Sequence, residues 1–281
     1  MSRIAVIGLV GESVFLTLDR HQAVGETARA NDLHREWGGK GYNQAVAAAR
    51  FGAEVAFLGA ACSTDAESII SAAAADGVRA YIAKKDTPTA YGVITTDKAG
   101  ENRVTVYGGA ELSASDVECF RAELETADIL LINNEVPETV NVEAVKIVKA
   151  HGGKIIFNPA PVRPICQYLL SNSDIFTPNE YEAEALGERN NVIETLGARG
   201  AFVRWLDLFI PAYKAECVVD TTGAGDTFSG VLAAALAEGK EVPEACDLAS
   251  RASSLEVQKK YVMPSIPKRA EIEALAAAKA R

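Results

Sequence analysis

Several things are scarce in this chain. It has five cysteines, Cys62, Cys119, Cys166, Cys217 and Cys246, an odd number, far apart and without a Cys-x-x-Cys pair. That argues against a disulfide framework and a cysteine zinc site, and fits reduced thiols in a cytoplasm. Only three histidines are present, His21, His34 and His151, and none falls in a His-Glu-x-x-His pattern. Basic residues are outnumbered 28 to 38, which leaves a net charge of −10. Such a surface repels a phosphate backbone, so no nucleic-acid partner is expected, while a local basic pocket for a small phosphorylated ligand stays compatible with it. No uncharged apolar run approaches the roughly 18 residues of a bilayer span, so no membrane partner is expected either. The apolar run at residues 4–10 is interrupted by Gly11 and Glu12 with no small-residue cleavage site behind it. It reads as a buried strand rather than a signal peptide. Internal repeats, low-complexity stretches and flexible linkers are also missing.

What is present is ordinary globular composition, 48% hydrophobic and 23% charged over 281 residues, enough chain to bury a proper core. Strand-like runs at residues 4–10, 55–59, 129–132, 154–157 and 174–177 alternate with helical patterns at 42–51, 63–75 and 138–150. That rhythm predicts an α/β fold over residues 1–281, one domain with a central, mostly parallel sheet and helices on both faces. Residues 13–37 and about 90–110 break the rhythm, being rich in Thr, Val, Tyr and Gly. Within the second stretch, residues 91–96 and 103–107 flank the turn signal Lys98-Ala99-Gly100-Glu101-Asn102, a hairpin pattern. Both stretches are expected to form a small β-layer that projects from the main sheet.

Two glycine clusters carry the chemistry. In Asp220-Thr221-Thr222-Gly223-Ala224-Gly225-Asp226-Thr227-Phe228-Ser229-Gly230, apolar residues recur at helical spacing from Phe228 onward, so the glycines sit at a helix mouth. Small residues there let backbone N–H groups converge on an anion, with the helix dipole in support. Asp226 falls in the first turn, where its carboxylate can take a proton from a hydroxyl. An anion cradle beside a base suits phosphoryl transfer to an alcohol. The plainer reading, that Asp226 only caps the helix, would serve for a lone Gly-x-Gly-Asp. The second cluster, Gly38-Gly39-Lys40-Gly41-Tyr42-Asn43-Gln44, also opens a helix. It admits a ligand or is merely a tight strand-to-helix turn, and composition alone leaves both open. It is neither a phosphate-binding Walker loop nor a dinucleotide fingerprint.

Taken together, these strings resemble the ribokinase-like, PfkB-type sugar kinase family, and are nearest to its ribokinase branch. Residues 39–45 are similar to the family's first signature and residues 220–230 to its second. Gly25-Glu26-Thr27, Gly100-Glu101-Asn102, Asn158-Pro159-Ala160-Pro161, Thr177-Pro178-Asn179-Glu180, residues 195–200 and Ser265-Ile266-Pro267 follow the family's order. The resemblance implies a ribokinase-like fold whose small β-sheet is a lid, and ATP-dependent phosphorylation of a hydroxyl on a small sugar or sugar acid. It implies Asp226 as the base and the amides of Gly223, Ala224 and Gly225 as the anion hole. Gly39, Lys40, Gly41, Asn43 and Glu135 would hold sugar hydroxyls. Thr195, Gly197 and Gly200 would line the ATP phosphates, with Gly225 and Asn179 beside them. Asn179 and Glu182 would organise magnesium through water. Asp220, Thr222 and Ser265 match a monovalent-cation site, potassium in the family. A homodimer through the β-layer is the implied assembly. Glu135 also reads as a strand-end surface acid and Glu182 as a solvated helix carboxylate. A nucleoside kinase, or a sugar- or nucleotide-binding sensor without catalysis, stays open on the same fold.

The chain departs from the family at four places. Gly11-Glu12-Ser13 stands where ribokinases carry Asn-x-Asp, whose Asp grips two ribose hydroxyls. Ser13 has one hydroxyl and no charge, so a sugar or sugar acid other than ribose is expected. Lys40, if it faces the pocket, favours an acidic sugar. Tyr261 occupies the place of a glycine in the cation-site loop, which weighs against potassium activation. Only a dozen residues separate Glu182 from Thr195, where an extra helix is usual. Ala60-Ala61-Cys62-Ser63 replaces a glycine-containing turn.

Overall fold

The apolar run at the N-terminus is longer than the strand it forms. The computed structural model describes residues 2–99 and 101–279. In it β1 covers Arg3–Ile7, because the chain leaves the main sheet at Gly8 and enters a second sheet at Gly11. There β2 (Gly11–Thr17) and β3 (Asp32–Gly38) pair, and α1 (Lys40–Phe51) follows at once. The chain returns through β4 (Glu54–Cys62), α2 (Ala66–Ala75) and β5 (Val78–Lys85), and goes out again as β6 (Ala90–Thr96) and β7 (Asn102–Tyr107). The other half of the main sheet is α3 (Arg121–Glu125), β8 (Ile129–Asn133), α4 (Glu138–Ala150), β9 (Lys154–Asn158), α5 (Gln167–Asn172) and β10 (Ile175–Phe176). After α6 (Glu180–Leu186) come three antiparallel strands, β11 (Ile193–Thr195), β12 (Gly200–Val203) and β13 (Leu208–Pro211). Helices α7 (Ala224–Ala237), α8 (Val242–Glu256) and α9 (Arg269–Lys279) close the chain.

The main sheet runs β10-β9-β8-β1-β4-β5, parallel throughout. Its strands are apolar on both faces, as a parallel sheet covered by helices requires. In β1, Ile4 and Val6 join one core with Val46, Phe51, Val231, Leu232 and Ala249, while Ala5 and Ile7 join a second with Leu130, Val140, Val148 and Phe157. The strand order reverses at β1, and in such sheets ligands bind outside the carboxyl ends of the strands at that switch point. No described helix is long and apolar enough to cross a membrane.

The small sheet is ordered β3-β2-β6-β7. The hairpin expected at 91–107 is there as β6 and β7, although Gly100 of its turn lies outside the described residues. The first stretch is less continuous than expected: its strand begins at Gly11, Leu18 is buried, and residues 19–31 are a largely exposed connection. The sheet is mixed, since β2 and β6 pair in parallel. The shortened stretch before Thr195 closes without a helix. Phe176 donates its amide to Asn191, Arg189 lies over the Phe176 ring at 5.6 Å, and Arg204 reaches Glu194 and the carbonyls of Gly187 and Arg189. Two guanidinium groups thus shield the sheet edge there.

Candidate active site

Helices α1 and α7 cross so closely that a side chain on Gly230 would lie 2.4 Å from the Gln44 carbonyl. That approach carries the first turn of α1 onto the first turn of α7. Asp226, 6% exposed, accepts hydrogen bonds from Asn43 Nδ2 at 2.9 Å and Gln44 Nε2 at 3.2 Å. Gln44 is itself anchored to Asn158 Oδ1 at the end of β9. One face of Asp226 is therefore fixed in direction before any substrate arrives. Asn43 Oδ1 is buried without a partner, an acceptor available to a sugar hydroxyl.

Gly223 precedes α7 with φ +87, a left-handed conformation that glycine adopts freely. No side chain caps the helix; the Ala224 amide makes only a long bond to the Thr221 carbonyl, 3.4 Å, and the Gly225 amide beside it is left for a ligand. Beside Gly225 a Cβ would meet nothing within 4 Å, an open cradle that a phosphoryl group fits. Gly197 is equally open.

Glu135 lies just past β8 and reaches back 95 residues to accept the Lys40 amide at 2.7 Å. Gly39 offers α1 no side-chain cap, so Glu135 supplies it from across the sheet. Burial pushes its carboxyl up to about 7, the Asp226 charge adds to this, and Lys40 opposes it. Lys40 is held above the usual lysine range by Asp226 first, then by Glu135 and Glu182, against its burial. Gly41 and Lys40 form the first turn of α1. Ser13 on β2 points to the same place: its Oγ lies 2.9 Å, and Asn43 Oδ1 3.7 Å, from where a Cβ on Gly38 would sit. Glu12 points away and pairs with Arg35 at 3.4 Å.

Asn179 and Glu182 form a capping box on α6, each side chain accepting the other's amide. Thr195 joins them through its amide to the Pro178 carbonyl and a bridge to Asn179. Both carboxylate oxygens of Glu182 keep further lone pairs, a hard donor set that suits magnesium. Gly200 sits within β12, paired to Pro211. Asp220 Oδ1 accepts the Thr222 amide, while the buried Ser265 donates to the Lys260 carbonyl. Among the described residues no hydrogen bond joins Ser265 to that pair.

Sequence reasoning missed three residues. Gln44 stands inside the first glycine string and was readable there. Glu36 shows no signal, since its partners lie 226 and 227 residues away. Glu256 ends α8 fully buried, with neither oxygen hydrogen-bonded. Burial pushes it up to about 8, and the charges of Asp226, Asp220 and Glu36 add to this. The nearby Thr227 hydroxyl pulls the other way but misses hydrogen-bond geometry.

The family model described as pfkB family carbohydrate kinase matches residues 1–269. The chain belongs to the PfkB family. It is an ATP-dependent phosphotransferase acting on a sugar hydroxyl, with a ribokinase-like fold. Among PfkB relatives, a ribokinase of Bacillus subtilis is 36% identical over 98% of this chain and 99% of its own. A bifunctional ribokinase/ribose-5-phosphate isomerase A of Fructilactobacillus sanfranciscensis is 37% identical over 97% of this chain, which spans only 56% of that longer protein. The structure of an Arabidopsis thaliana ribokinase complexed with ribose and ATP is 29% identical, with a TM-score of 0.85 over 98% of this chain and 99% of that one.

Proposed function

We propose that this chain phosphorylates a neutral small sugar other than ribose, with Asp226 as the base. What carries the reading is the buried Asp226 carboxylate, held by Asn43 and Gln44 next to the open amides at the start of α7. Asp226 takes the proton of the attacking hydroxyl, and the amides of Gly223, Ala224 and Gly225 face the charge that develops on the transferring group. Asn43, Glu135 and the first turn of α1 orient the sugar. Thr195 and Gly197 border the nucleotide phosphates. Asn179 and Glu182 hold magnesium through water, which when bound offsets phosphoryl charge. Asp220 and its loop are the proposed place for potassium. The small sheet over β2, β3, β6 and β7 acts as the lid that keeps water from competing.

Two features support the substrate choice. The charges bearing on Lys40 are all carboxylates, so its ammonium is already offset and an acidic sugar gains little. Ser13 offers one hydroxyl beside Asn43, where a carboxylate would accept from two sugar hydroxyls. Losing a charged acceptor costs about 1.5–3 kcal/mol per hydrogen bond, at least about tenfold in affinity. The test is ADP release with a panel of pentoses, hexoses, deoxy sugars, sugar acids and nucleosides. A neutral sugar other than ribose should show the highest kcat/KM; a leading ribose overturns the Ser13 argument, and a leading nucleoside the sugar assignment.

The proposed assembly is a homodimer through the small sheet, supported by Val104 and Val106, which share one face of its β7 edge and stand 60% and 66% exposed. The proposed compartment is the cytoplasm, which suits five unpaired cysteines.

A further inference from the structure

Strand β3 leads directly into the sugar-side segment, ending at Gly38 just before Gly39, Lys40 and Asn43. Asp32, His34 and Glu36 alternate along it and so share one face. All three engage the segment that follows α8. Tyr261 Oη donates to Asp32 at 2.9 Å, and its ring stacks on His34 at 3.9 Å and meets Phe15 of β2 edge-on at 5.2 Å. The Glu36 carboxylate accepts the Val262 amide at 3.0 Å and the Met263 amide at 3.3 Å, with His34 Nε2 at 2.9 Å on the same group. The Glu36 side chain is only 6% exposed, so these charge-assisted bonds are shielded from water.

The same segment touches the phosphate side. The Val262 side chain lies 2.7 Å from where a Cβ on Gly223 would sit. One turn earlier, the Val257 carbonyl accepts the Val219 and Asp220 amides. Tyr261 itself is held at φ +68, uncommon for an aromatic residue. A bend of that kind persists only where its surroundings hold it.

We propose that Glu36, assisted by Tyr261, is a positioning residue for phosphoryl transfer: it ties the strand that delivers the sugar-binding residues to the loop that seats Gly223. Small sheet and anion hole then move as one unit. This rests on the placement of sugar and phosphate proposed above. Spatial continuity alone does not establish coupling, so the test measures it.

The probe is MgADP, with amide hydrogen exchange followed in wild type and Glu36→Ala. In wild type MgADP should slow exchange both at residues 219–227 and in β3. In Glu36→Ala the effect at 219–227 should persist and that in β3 should vanish. With the best sugar of the panel, Glu36→Ala should lose about tenfold or more in kcat, with KM for ATP within about twofold. Tyr261→Gly guards against a folding artefact, because glycine suits the left-handed φ. It should still unfold in one cooperative transition and still lose kcat. Equal MgADP protection of β3 in wild type and Glu36→Ala, no protection of β3 in wild type, or wild-type kcat in Tyr261→Gly would each overturn the proposal. Absence of protection at 219–227 in wild type would instead overturn the nucleotide placement beneath it.

Discussion

Two buried carboxylates flank Gly223 and differ in nearly everything else. Asp226, on the α1 side, is gripped by two side-chain amides. Glu256, on the α8 side, has Oε1 2.6 Å from where a Gly223 Cβ would sit and no hydrogen-bond partner for either oxygen. The amide partners aim the Asp226 carboxylate; Glu256, without partners, is driven toward its neutral form by burial. The contrast teaches that depth alone does not mark a working acid: direction and partners do.

Removing the charge on each side should break the comparison differently. Asp226→Asn keeps the shape and loses the base, so turnover should fall about 10²–10⁴-fold with nucleotide affinity nearly unchanged. Steady-state kinetics beside a nucleotide titration checks this, and near-normal turnover would remove Asp226 from the base role.

For Glu135 the effect is a pH profile. Its carboxyl is pushed up to about 7, so it is protonated below that and a better acceptor above it. kcat/KM for the sugar should climb by about tenfold between pH 6 and 8, and Glu135→Gln should flatten the climb. An unchanged slope in the variant would place the titrating group elsewhere.

Glu182→Gln should raise the magnesium requirement by about tenfold and leave the sugar KM alone. The reverse pattern would move Glu182 out of the nucleotide site and leave it as a helix cap.

The Glu256 side should respond in stability. Its folded pKa of about 8 stands above the unfolded 4.5, so the folded state holds the extra proton between those values. Its contribution is fully present below about 4.5 and is lost as pH rises through about 8. Glu256→Gln should therefore melt about 5 °C or more above wild type at pH 8, with the gap closing near pH 5. A pH-independent difference would mean that Glu256 is already neutralised by a cation.

Much of this was legible in the chain itself. The strand–helix alternation announced the parallel sheet, because helices covering both faces demand strands such as β1 that are apolar at every position. The hairpin of β6 and β7 was readable from its turn residues, and α4 from its apolar face. The two glycine strings marked both helix mouths, since few other residues allow such backbone approach. Less legible were contacts that join distant segments. Glu135 looks like a strand-end acid until the fold places it over the N-terminus of α1. Glu36 is one more polar residue on an alternating strand until the segment after α8 arrives with two free amides.

By itself, then, the sequence determined periodicities, turns and the residue types at each helix mouth, because those follow from local sterics and hydrogen-bonding capacity. Only the tertiary structure decided which carboxylate is partnered and which is stranded. That depends on α1 meeting the first turn of α7 at Asp226 and the α8 end meeting it at Gly223, and on how much water is left around each charge when they do.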